Sequence, residues 1–188
     1  MLEALPDGLL GTRDRALLTL GFAGGFRRSE LVALDVGHIR FVRGAGLEAK
    51  VVRSKTDQSA AGMTKEIAYG KDPSTCPVRA VKEWLEHASI RQGPVFRAVN
   101  RHGQVSKSRL SAQVVRLVVK RALEQAGVSS DMFSAHSLRA GLVTTAKLRG
   151  VDDADIMKVT GHRSLQTMHK YDRRAKRWQD PATSKLGL

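Results

Sequence analysis

The sequence predicts a mainly α-helical fold with a small three-stranded antiparallel β-sheet near the N-terminal third. Apolar residues recur at helical spacing through most of the 188 residues, whereas residues 38–69 change to a strand-like period. A hydrophobic content of 41% and a charged content of 27% are typical of a globular protein. No repeat or low-complexity linker divides the chain, so residues 1–188 are predicted to form one domain.

The N-terminal third contains two predicted helices and the sheet. Thr12 is predicted to cap a helix through "RDRALLTLGFAG", which Gly24 and Gly25 end, and "SELVALD" forms a short second helix. The segments "HIRFVR", "LEAKVVRS" and "TKEIAYG" are predicted as three strands. They are the only strong β signal in the chain.

The rest of the chain is predicted to be helical. Pro77 stands where a first helical turn accepts proline and opens "VRAVKEWLEHA". The segment "GPVFRAVNRHGQV" is expected to be irregular or briefly extended. The helix "SAQVVRLVVKRALEQAG" ends at Gly127, and its predicted apolar face consists of Val114, Leu117, Val118 and Leu123. Further helices are predicted near residues 135–148, 153–160, 164–173 and 180–186.

The net charge of +14 is concentrated in the second half of the chain. Residues 91–188 contain 19 lysines and arginines against seven acidic residues, so 12 of the 14 surplus charges lie there. This concentration indicates a surface that binds a polyanion, with nucleic acid as the leading candidate. Because aromatic residues make up only 5%, contact with the backbone of double-stranded DNA is favoured over stacking on unpaired bases.

Several other classes of protein lack support. Cys76 is the only cysteine, which excludes an internal disulfide. No window has eighteen apolar residues, and the N-terminus lacks a basic segment before an apolar run, so we expect no membrane partner and a cytoplasmic, nucleoid-associated location. Known zinc-hydrolase, nucleotide-loop and serine-nucleophile motifs are missing, and no compact acidic cluster suits two-metal chemistry. We therefore expect no cofactor and no metal.

Two short motifs have both a structural and a functional interpretation. In "GFRRSEL", Arg27 precedes Glu30 by three residues, and a local ion pair in the first turn of a helix explains the spacing on its own. In "FSAHSLRAG", Ser134 as N-cap places His136 and Arg139 on one face near the start of a helix. Helix N-termini attract phosphate, so these two side chains are either a phosphate grip or a buried, satisfied pair.

The segment "GHRSLQTMHKYDRRAKRW" combines His162 with Tyr171 in basic surroundings. Nine residues turn about half a circle in an unbroken helix, so the two side chains would then point apart. Gly161 and Ser164 indicate a break, with one helix ending at the glycine and another capped by the serine. Tertiary folding is then free to bring His162 and Tyr171 together. His169 is interpreted as structural.

Taken together and in order, these motifs resemble the tyrosine recombinase (phage integrase) family. "GFRRSEL" is similar to its first arginine box, "HSLRAG" to its His-x-x-Arg box, and "GHRSLQTMHKY" to its closing histidine and tyrosine. The inserted sheet stands where the family carries a lysine on a β-hairpin. The candidate catalytic residues are Arg27, Glu30, Lys55, His136, Arg139, His162 and Tyr171.

The resemblance implies a role for each candidate. Arg27, Arg139 and His162 would contact the scissile phosphate, and Glu30 would orient the loop that carries Arg27. Charge-assisted hydrogen bonds from two guanidinium groups strengthen as negative charge develops on the phosphate oxygens.

The same resemblance makes Tyr171 the nucleophile. A phenol with an ordinary pKa of about 10 must lose its proton during the attack, and His136 would assist that proton transfer. Lys55 would protonate the leaving 5′-oxygen as general acid. Lys65, on the returning strand, is the alternative general acid, and Lys55 is preferred for its place at the end of its strand.

The expected fold is that of a tyrosine recombinase catalytic domain, and the expected function is site-specific recombination of DNA through a 3′-phosphotyrosine intermediate. The resemblance implies an N-terminal DNA-clamping domain, whereas this sequence starts close to the first arginine box. We therefore interpret the chain as the catalytic domain of a protein that acts as a homotetramer on paired sites, with a reduced family member as the alternative. Residues 179–188 are expected to form a C-terminal helix or tail. The alternatives are a type IB topoisomerase-like enzyme, which relaxes supercoils, and a DNA-binding module without catalysis.

Overall fold

The computed structural model describes residues 1–52, 62–131, 133, 136–162, 164 and 166. Its first half contains helices α1 (Gly8–Ala23), α2 (Arg28–Val32) and α3 (Pro77–His87), with the strands β1 (Ile39–Val42), β2 (Gly46–Val51) and β3 (Met63–Ala68) between α2 and α3. Its second half contains β4 (Arg97–Val99), β5 (Val105–Arg109), α4 (Ala112–Gln125), α5 (Ser137–Leu148) and α6 (Asp153–Thr160). Two short 3₁₀ turns, Val36–His38 and Pro73–Thr75, precede β1 and α3.

The three-stranded sheet has the order β1-β2-β3 and is antiparallel throughout, which confirms the predicted fold class. The register pairs Arg40 with Glu48 and Ala49 with Lys65. Alternate residues of β2 and β3 face the core, so one face of the sheet is covered by helices.

Helix α1 lies at the centre of the domain and is buried on nearly all sides. Ala16, Leu17 and Leu20 are fully buried, and the helix packs against both α3 and α5. Trp84 of α3 is fully buried and donates its indole N–H to Val95 O at 2.8 Å. A buried apolar side chain thus joins α3 to the segment that precedes β4 while its polar atom stays satisfied.

A buried ion cluster joins α1 to α4. The Asp14 carboxylate is fully buried and accepts hydrogen bonds from Arg13 Nε at 2.8 Å and Arg13 Nη2 at 2.6 Å. Arg121 Nη2 of α4 contacts the other carboxylate oxygen. Both oxygens of the buried acid are therefore compensated by cations, as burial of a charge requires.

The structure corrects three local predictions and decides a fourth. Helix α1 begins at Gly8 rather than after Thr12, whose hydroxyl donates to Gly8 O at 3.1 Å from inside the helix. The segment predicted to be irregular or briefly extended is extended, and residues 97–109 form a two-stranded antiparallel hairpin. On α4, Leu117 is 55% exposed, and Val115 and Val119 are buried instead. Helix α5 begins at Ser137, two residues later than expected.

Other predicted ends of helices agree with the structure. Gly24 is the C-cap of α1, and Pro77 is the first residue of α3. Gly127 follows α4 with a φ of +71°. Gly161 ends α6 in the left-handed region, with φ 69° and ψ 34°. The helices expected at 164–173 and 180–186, and the tail at 179–188, lie largely or wholly outside the described residues.

Candidate active site

The loop between α1 and α2 carries the first two candidate residues. Glu30 Oε1 accepts a hydrogen bond from Arg27 Nη1 at 2.5 Å, and Glu30 Oε2 accepts one from the backbone N–H of Arg27 at 2.9 Å. The Arg27 side chain is 24% exposed, whereas that of Glu30 is 3% exposed. The buried carboxylate therefore holds a guanidinium group that still reaches solvent.

Glu30 is ionised in this arrangement. Burial by itself raises the pKa of the carboxyl, but the two hydrogen bonds from Arg27, together with the charges of Arg27 and Lys65, outweigh it and lower the pKa below its ordinary value. The site thus contains one buried negative charge among several positive ones.

Arg139 approaches the same loop from α5. It is 1% exposed, and its Nη1 donates to Gly25 O at 2.9 Å. Gly25 has a φ of +54°, and a Cβ at this position would stand 2.7 Å from Leu142 Cδ2 and 3.1 Å from Thr160 Cγ2. Only glycine fits here without strain, because both the backbone conformation and the close approach of α5 and α6 disfavour a side chain.

His136 occupies the N-cap position of α5, three residues before Arg139. The prediction placed the cap at Ser134, which lies outside the described residues. His136 keeps much of its surface exposed, but protein atoms cover part of its ring, and this partial desolvation together with the charges of Arg139 and Arg27 lowers its pKa. The imidazole therefore lies within electrostatic range of both arginines.

His162 follows α6 and is held by Thr160. Thr160 Oγ1 and His162 Nδ1 are 2.8 Å apart, and the same hydroxyl donates to Ile156 O at 2.7 Å. Partial burial lowers the pKa of His162 to about 4, helped by the charges of Arg139, Arg27, His136 and Lys65. His162 is consequently neutral at pH 7 in the absence of an anion.

Lys65 of β3 also enters the site. It is 2% exposed and lies close to Glu30, Arg139 and Arg27, each of which affects its pKa. Burial lowers that pKa to about 8, the Glu30 carboxylate opposes the change, and the two arginines add to it. Lys55 and Tyr171 lie outside the described residues, so both remain predictions.

The structure thus brings five predicted or alternative site residues within electrostatic range of one another, and Glu30 interacts with the charges of two of them, Arg27 and Lys65. The five residues are Arg27, Lys65, His136, Arg139 and His162. With three cations and two imidazoles against one carboxylate, the cluster has the charge expected of an anion site. Among the described residues, no group of three His, Cys, Asp or Glu side chains is arranged to hold a metal ion.

Two supporting residues were missed by the sequence analysis. Thr160 orients His162 through a hydrogen bond between their side chains. A hydroxyl residue two positions before a candidate histidine was the sequence feature that could have indicated this contact. Gly25 was assigned only to the end of α1, yet its carbonyl also receives Arg139. Contacts between residues 114 positions apart in sequence cannot be deduced from local spacing.

The fold and the site together define a mainly helical domain with a cluster of positively charged side chains. The sequence matches the phage integrase family over residues 1–177. The chain belongs to the phage integrase family. Among the described residues, no helix is both long and apolar enough to cross a membrane.

Curated relatives support this assignment. The chain is 38% identical over 180 residues to an integrase/recombinase xerD homolog of Selenomonas ruminantium, an alignment that covers 96% of this chain and 52% of the relative. It is 30% identical over 178 residues to tyrosine recombinase XerC of Syntrophus aciditrophicus, covering 88% of this chain and 50% of that protein. The chain therefore spans about half the length of the curated relatives it matches.

Solved structures support the fold. The XerH site-specific recombinase bound to palindromic difH substrate, in a post-cleavage complex, matches with a TM-score of 0.73 at 20% identity, covering 100% of this chain and 50% of that chain. XerA recombinase matches with a TM-score of 0.66 at 18% identity, covering 92% of this chain and 57% of that chain. The predicted catalytic-domain fold of a tyrosine recombinase is thereby confirmed.

Proposed function

We propose that this chain is the catalytic part of a site-specific DNA recombinase that cuts and rejoins strands through Tyr171. The observation that carries the proposal is the joint placement of Arg27, Arg139 and His162. Arg27 is fixed by a buried carboxylate, Arg139 by the carbonyl of Gly25, and His162 by Thr160. Three independently anchored side chains form a preorganised site for one phosphate group.

The proposed reaction exchanges one phosphodiester for another. The Tyr171 oxygen attacks phosphorus, a Tyr171 Oη–P bond forms, and the P–O5′ bond breaks. His136 assists removal of the phenol proton, and Lys55 gives a proton to the leaving 5′-oxygen. The product is a 3′-phosphotyrosine with a free 5′-hydroxyl, and the reverse attack by a 5′-hydroxyl rejoins the strand.

Arg27 and Arg139 supply the electrostatic part of the catalysis. The non-bridging oxygens gain negative charge as the pentacoordinate transition state forms, and positioned guanidinium groups bind that charge more tightly than the ground state. His162 binds a proton at Nε2 when the anion arrives, because a phosphate beside the ring opposes the lowering of its pKa, and it then donates a hydrogen bond to the phosphate.

The substrate and partners are assigned by the same proposal. We infer double-stranded DNA as the substrate, a homotetramer on paired sites as the active assembly, and a longer parent polypeptide that supplies the second half of the DNA clamp. The location is cytoplasmic and nucleoid-associated. The surplus of 12 positive charges in residues 91–188 supports contact with the DNA backbone.

The proposal is tested by covalent trapping on nicked duplexes from the DNA that flanks the gene, for this chain and for its parent polypeptide. Cleavage close to the nick releases a short piece with a 5′-hydroxyl, so the adduct accumulates. We expect a denaturant-resistant protein–DNA adduct that Tyr171→Phe abolishes. Tyr69→Phe is the matched control, because Tyr69 is 40% exposed and also lies beside an arginine. Its ring centroid is 6.0 Å from the Arg79 guanidinium of α3, which is not one of the site residues.

Two results would contradict the proposal. Tight, specific DNA binding without any adduct from the parent would favour a DNA-binding module. Relaxation of supercoiled DNA without exchange of strands between two sites would favour the topoisomerase-like alternative.

A further inference from the structure

Lys65 is an unusual lysine. Among the residues that the structure describes, it is the one lysine in the buried class, at 2% exposure. Lysine is almost never fully buried unless its charge is compensated, because removal of an ammonium group from water is costly. The groups that compensate the charge of Lys65 indicate what this residue does.

The Lys65 ammonium group joins the ends of two helices. Its Nζ donates to Gly24 O at 2.8 Å and also to Val159 O. Gly24 is the C-cap of α1, and Val159 lies in the last turn of α6. The last carbonyls of a helix lack partners within it and carry partial negative charge, so both ends attract a cation. The Phe26 ring adds a cation–π contact, with Nζ 5.0 Å from its centroid.

Each of these helix ends leads directly to a phosphate-binding candidate. Arg27 follows Gly24 by three residues, and His162 follows Val159 by three residues. Arg139 binds the carbonyl of Gly25, next to the one that Lys65 binds. One ammonium group therefore sets the distance between the two loops that carry Arg27 and His162.

We propose that Lys65 is a positioning residue that fixes Arg27 and His162 on either side of the phosphate by joining the end of α1 to the end of α6. This inference rests on the proposed function. It assigns Lys65 no proton transfer, because its Nζ is buried and already donates to two main-chain carbonyls. Lys55 remains the proposed general acid.

The charged groups around Lys65 are consistent with this role. Glu30 of α2 faces it with a negative charge, Arg139 of α5 and the Arg27 loop face it with positive charges, and His162 beyond α6 senses its charge. The Glu30 carboxylate thus offsets part of the positive charge near Lys65, and the site as a whole stays positively charged.

A thio-substituted DNA separates positioning from acid catalysis. In a duplex with sulfur in place of the bridging 5′-oxygen, the leaving thiolate needs no proton, because an ordinary thiol has a pKa near ~8.5, far below that of an alcohol. We expect Lys65→Met to slow adduct formation at least tenfold on both the normal and the thio duplex. Lys55→Met should lose activity on the normal duplex only. Recovery of Lys65→Met on the thio duplex would overturn the proposal and make Lys65 the acid.

A second measurement does not depend on activity. In ¹H–¹⁵N spectra of the DNA-free chain, Lys65→Met should shift the amide signals of Gly25 and Gly161, and it should raise the pKa of His162 because a positive charge is lost. Lys82→Met is the matched control, since Lys82 is exposed on α3 and its ion pair with Glu86 is 3.9 Å long. Unchanged signals in a folded Lys65→Met variant would show that Lys65 does not join the end of α1 to the end of α6. If the wild-type chain and its parent form no adduct but these signals do shift, the proposed function is wrong. The structural role of Lys65 in joining the ends of α1 and α6 would still hold.

Discussion

Thr160 and His162 are linked by a hydrogen bond of 2.8 Å between Thr160 Oγ1 and His162 Nδ1. The hydroxyl proton is donated to Ile156 O at 2.7 Å. Because a hydroxyl has one proton, Nδ1 is the donor toward Thr160, and Nε2 carries the lone pair in the neutral ring. The end of α6 thus selects one tautomer of a residue that we place at the phosphate.

Thr160→Val tests this selection. The valine removes the acceptor for Nδ1–H at nearly the same volume, so the ring loses its preferred tautomer and orientation. We expect ring ¹⁵N shifts of His162 to change from the Nδ1–H form toward a mixture, and adduct formation to fall roughly tenfold, as for the loss of one hydrogen bond of ~1.4 kcal/mol. Thr12→Val is the control, because Thr12 makes the same helical bond, to Gly8 O at 3.1 Å, outside the site. An unchanged tautomer in Thr160→Val would contradict the assignment.

The Glu30 carboxylate is predicted to stabilise the fold as well as the site. Glu30→Gln leaves Arg27 and Lys65 without their negative partner in a buried position, so we expect a loss of ~3 kcal/mol in the free energy of unfolding at pH 7. Glu48→Gln is the control, because its partner Arg40 is 71% exposed, so solvent screens the pair and it should contribute less than ~1 kcal/mol. Urea titrations measure both. Equal effects of the two substitutions would contradict the special role of Glu30.

The Glu30 contribution should also depend on pH. Its pKa is lower in the folded chain than the ordinary 4.5, so the folded state binds fewer protons than the unfolded state. The stabilisation is therefore complete above pH 4.5 and is lost as the pH falls through the folded value. The difference between wild type and Glu30→Gln should shrink accordingly in acid.

Local patterns predicted most of the fold. Pro77, Gly127 and Gly161 mark ends of helices by rules that depend on backbone conformation alone, and the structure agrees at each. The pairing of β4 with β5 was not predicted, because the strands are only three and five residues long and β5 is mostly polar. Their pairing depends on contacts with the rest of the domain rather than on their own periodicity.

The burial of charged side chains could not be predicted from the sequence. Lys65 lies between two polar residues and shares a strand face with Met63 and Ile67, so the alternation alone points it toward the core. The cost of burying lysine argues for exposure instead. The carbonyls that compensate it belong to Gly24 and Val159, which are 41 and 94 positions away. The same holds for Asp14, whose partner Arg121 is 107 positions away. Such pairings depend on the tertiary arrangement of helices.

Gly25→Ala should be more damaging than an ordinary glycine substitution. The added Cβ meets Leu142 Cδ2 at 2.7 Å, and the φ of +54° is unfavourable for alanine. We expect a loss of ~2–3 kcal/mol in the free energy of unfolding, from left-handed strain and overpacking together. Gly150→Ala separates the two causes, since its φ is +73° and nothing lies within 4 Å, so it should lose only ~1 kcal/mol. If the two variants lost the same amount, the packing against α5 would be irrelevant.

DNA affinity should fall steeply with salt. If about six phosphates are neutralised by lysine and arginine, the slope of log affinity against log salt concentration is about −5. Fluorescence anisotropy with a labelled duplex measures the slope. The exposed bases of β5 and α4 provide a test of location, because Lys107→Gln and Arg116→Gln should each reduce the slope by about one if they contact phosphate. A slope near zero would argue against binding through the DNA backbone.

Lys65 should make the stability of the chain depend on pH in the alkaline range. Its pKa is about 8 in the folded chain against 10.5 in the unfolded chain, so between these values the folded state binds fewer protons. The stability that arises from this difference is absent below pH 8 and grows as the pH rises toward 10.5. A shift of this size corresponds to ~3 kcal/mol at its upper limit. Urea titrations at pH 7, 8, 9 and 10 should therefore show wild type gaining stability relative to Lys65→Met, while Lys82→Met follows wild type. A constant difference across this range would mean that Lys65 keeps an ordinary pKa, because Glu30 and the two carbonyls would then compensate its charge fully despite burial and the neighbouring arginines.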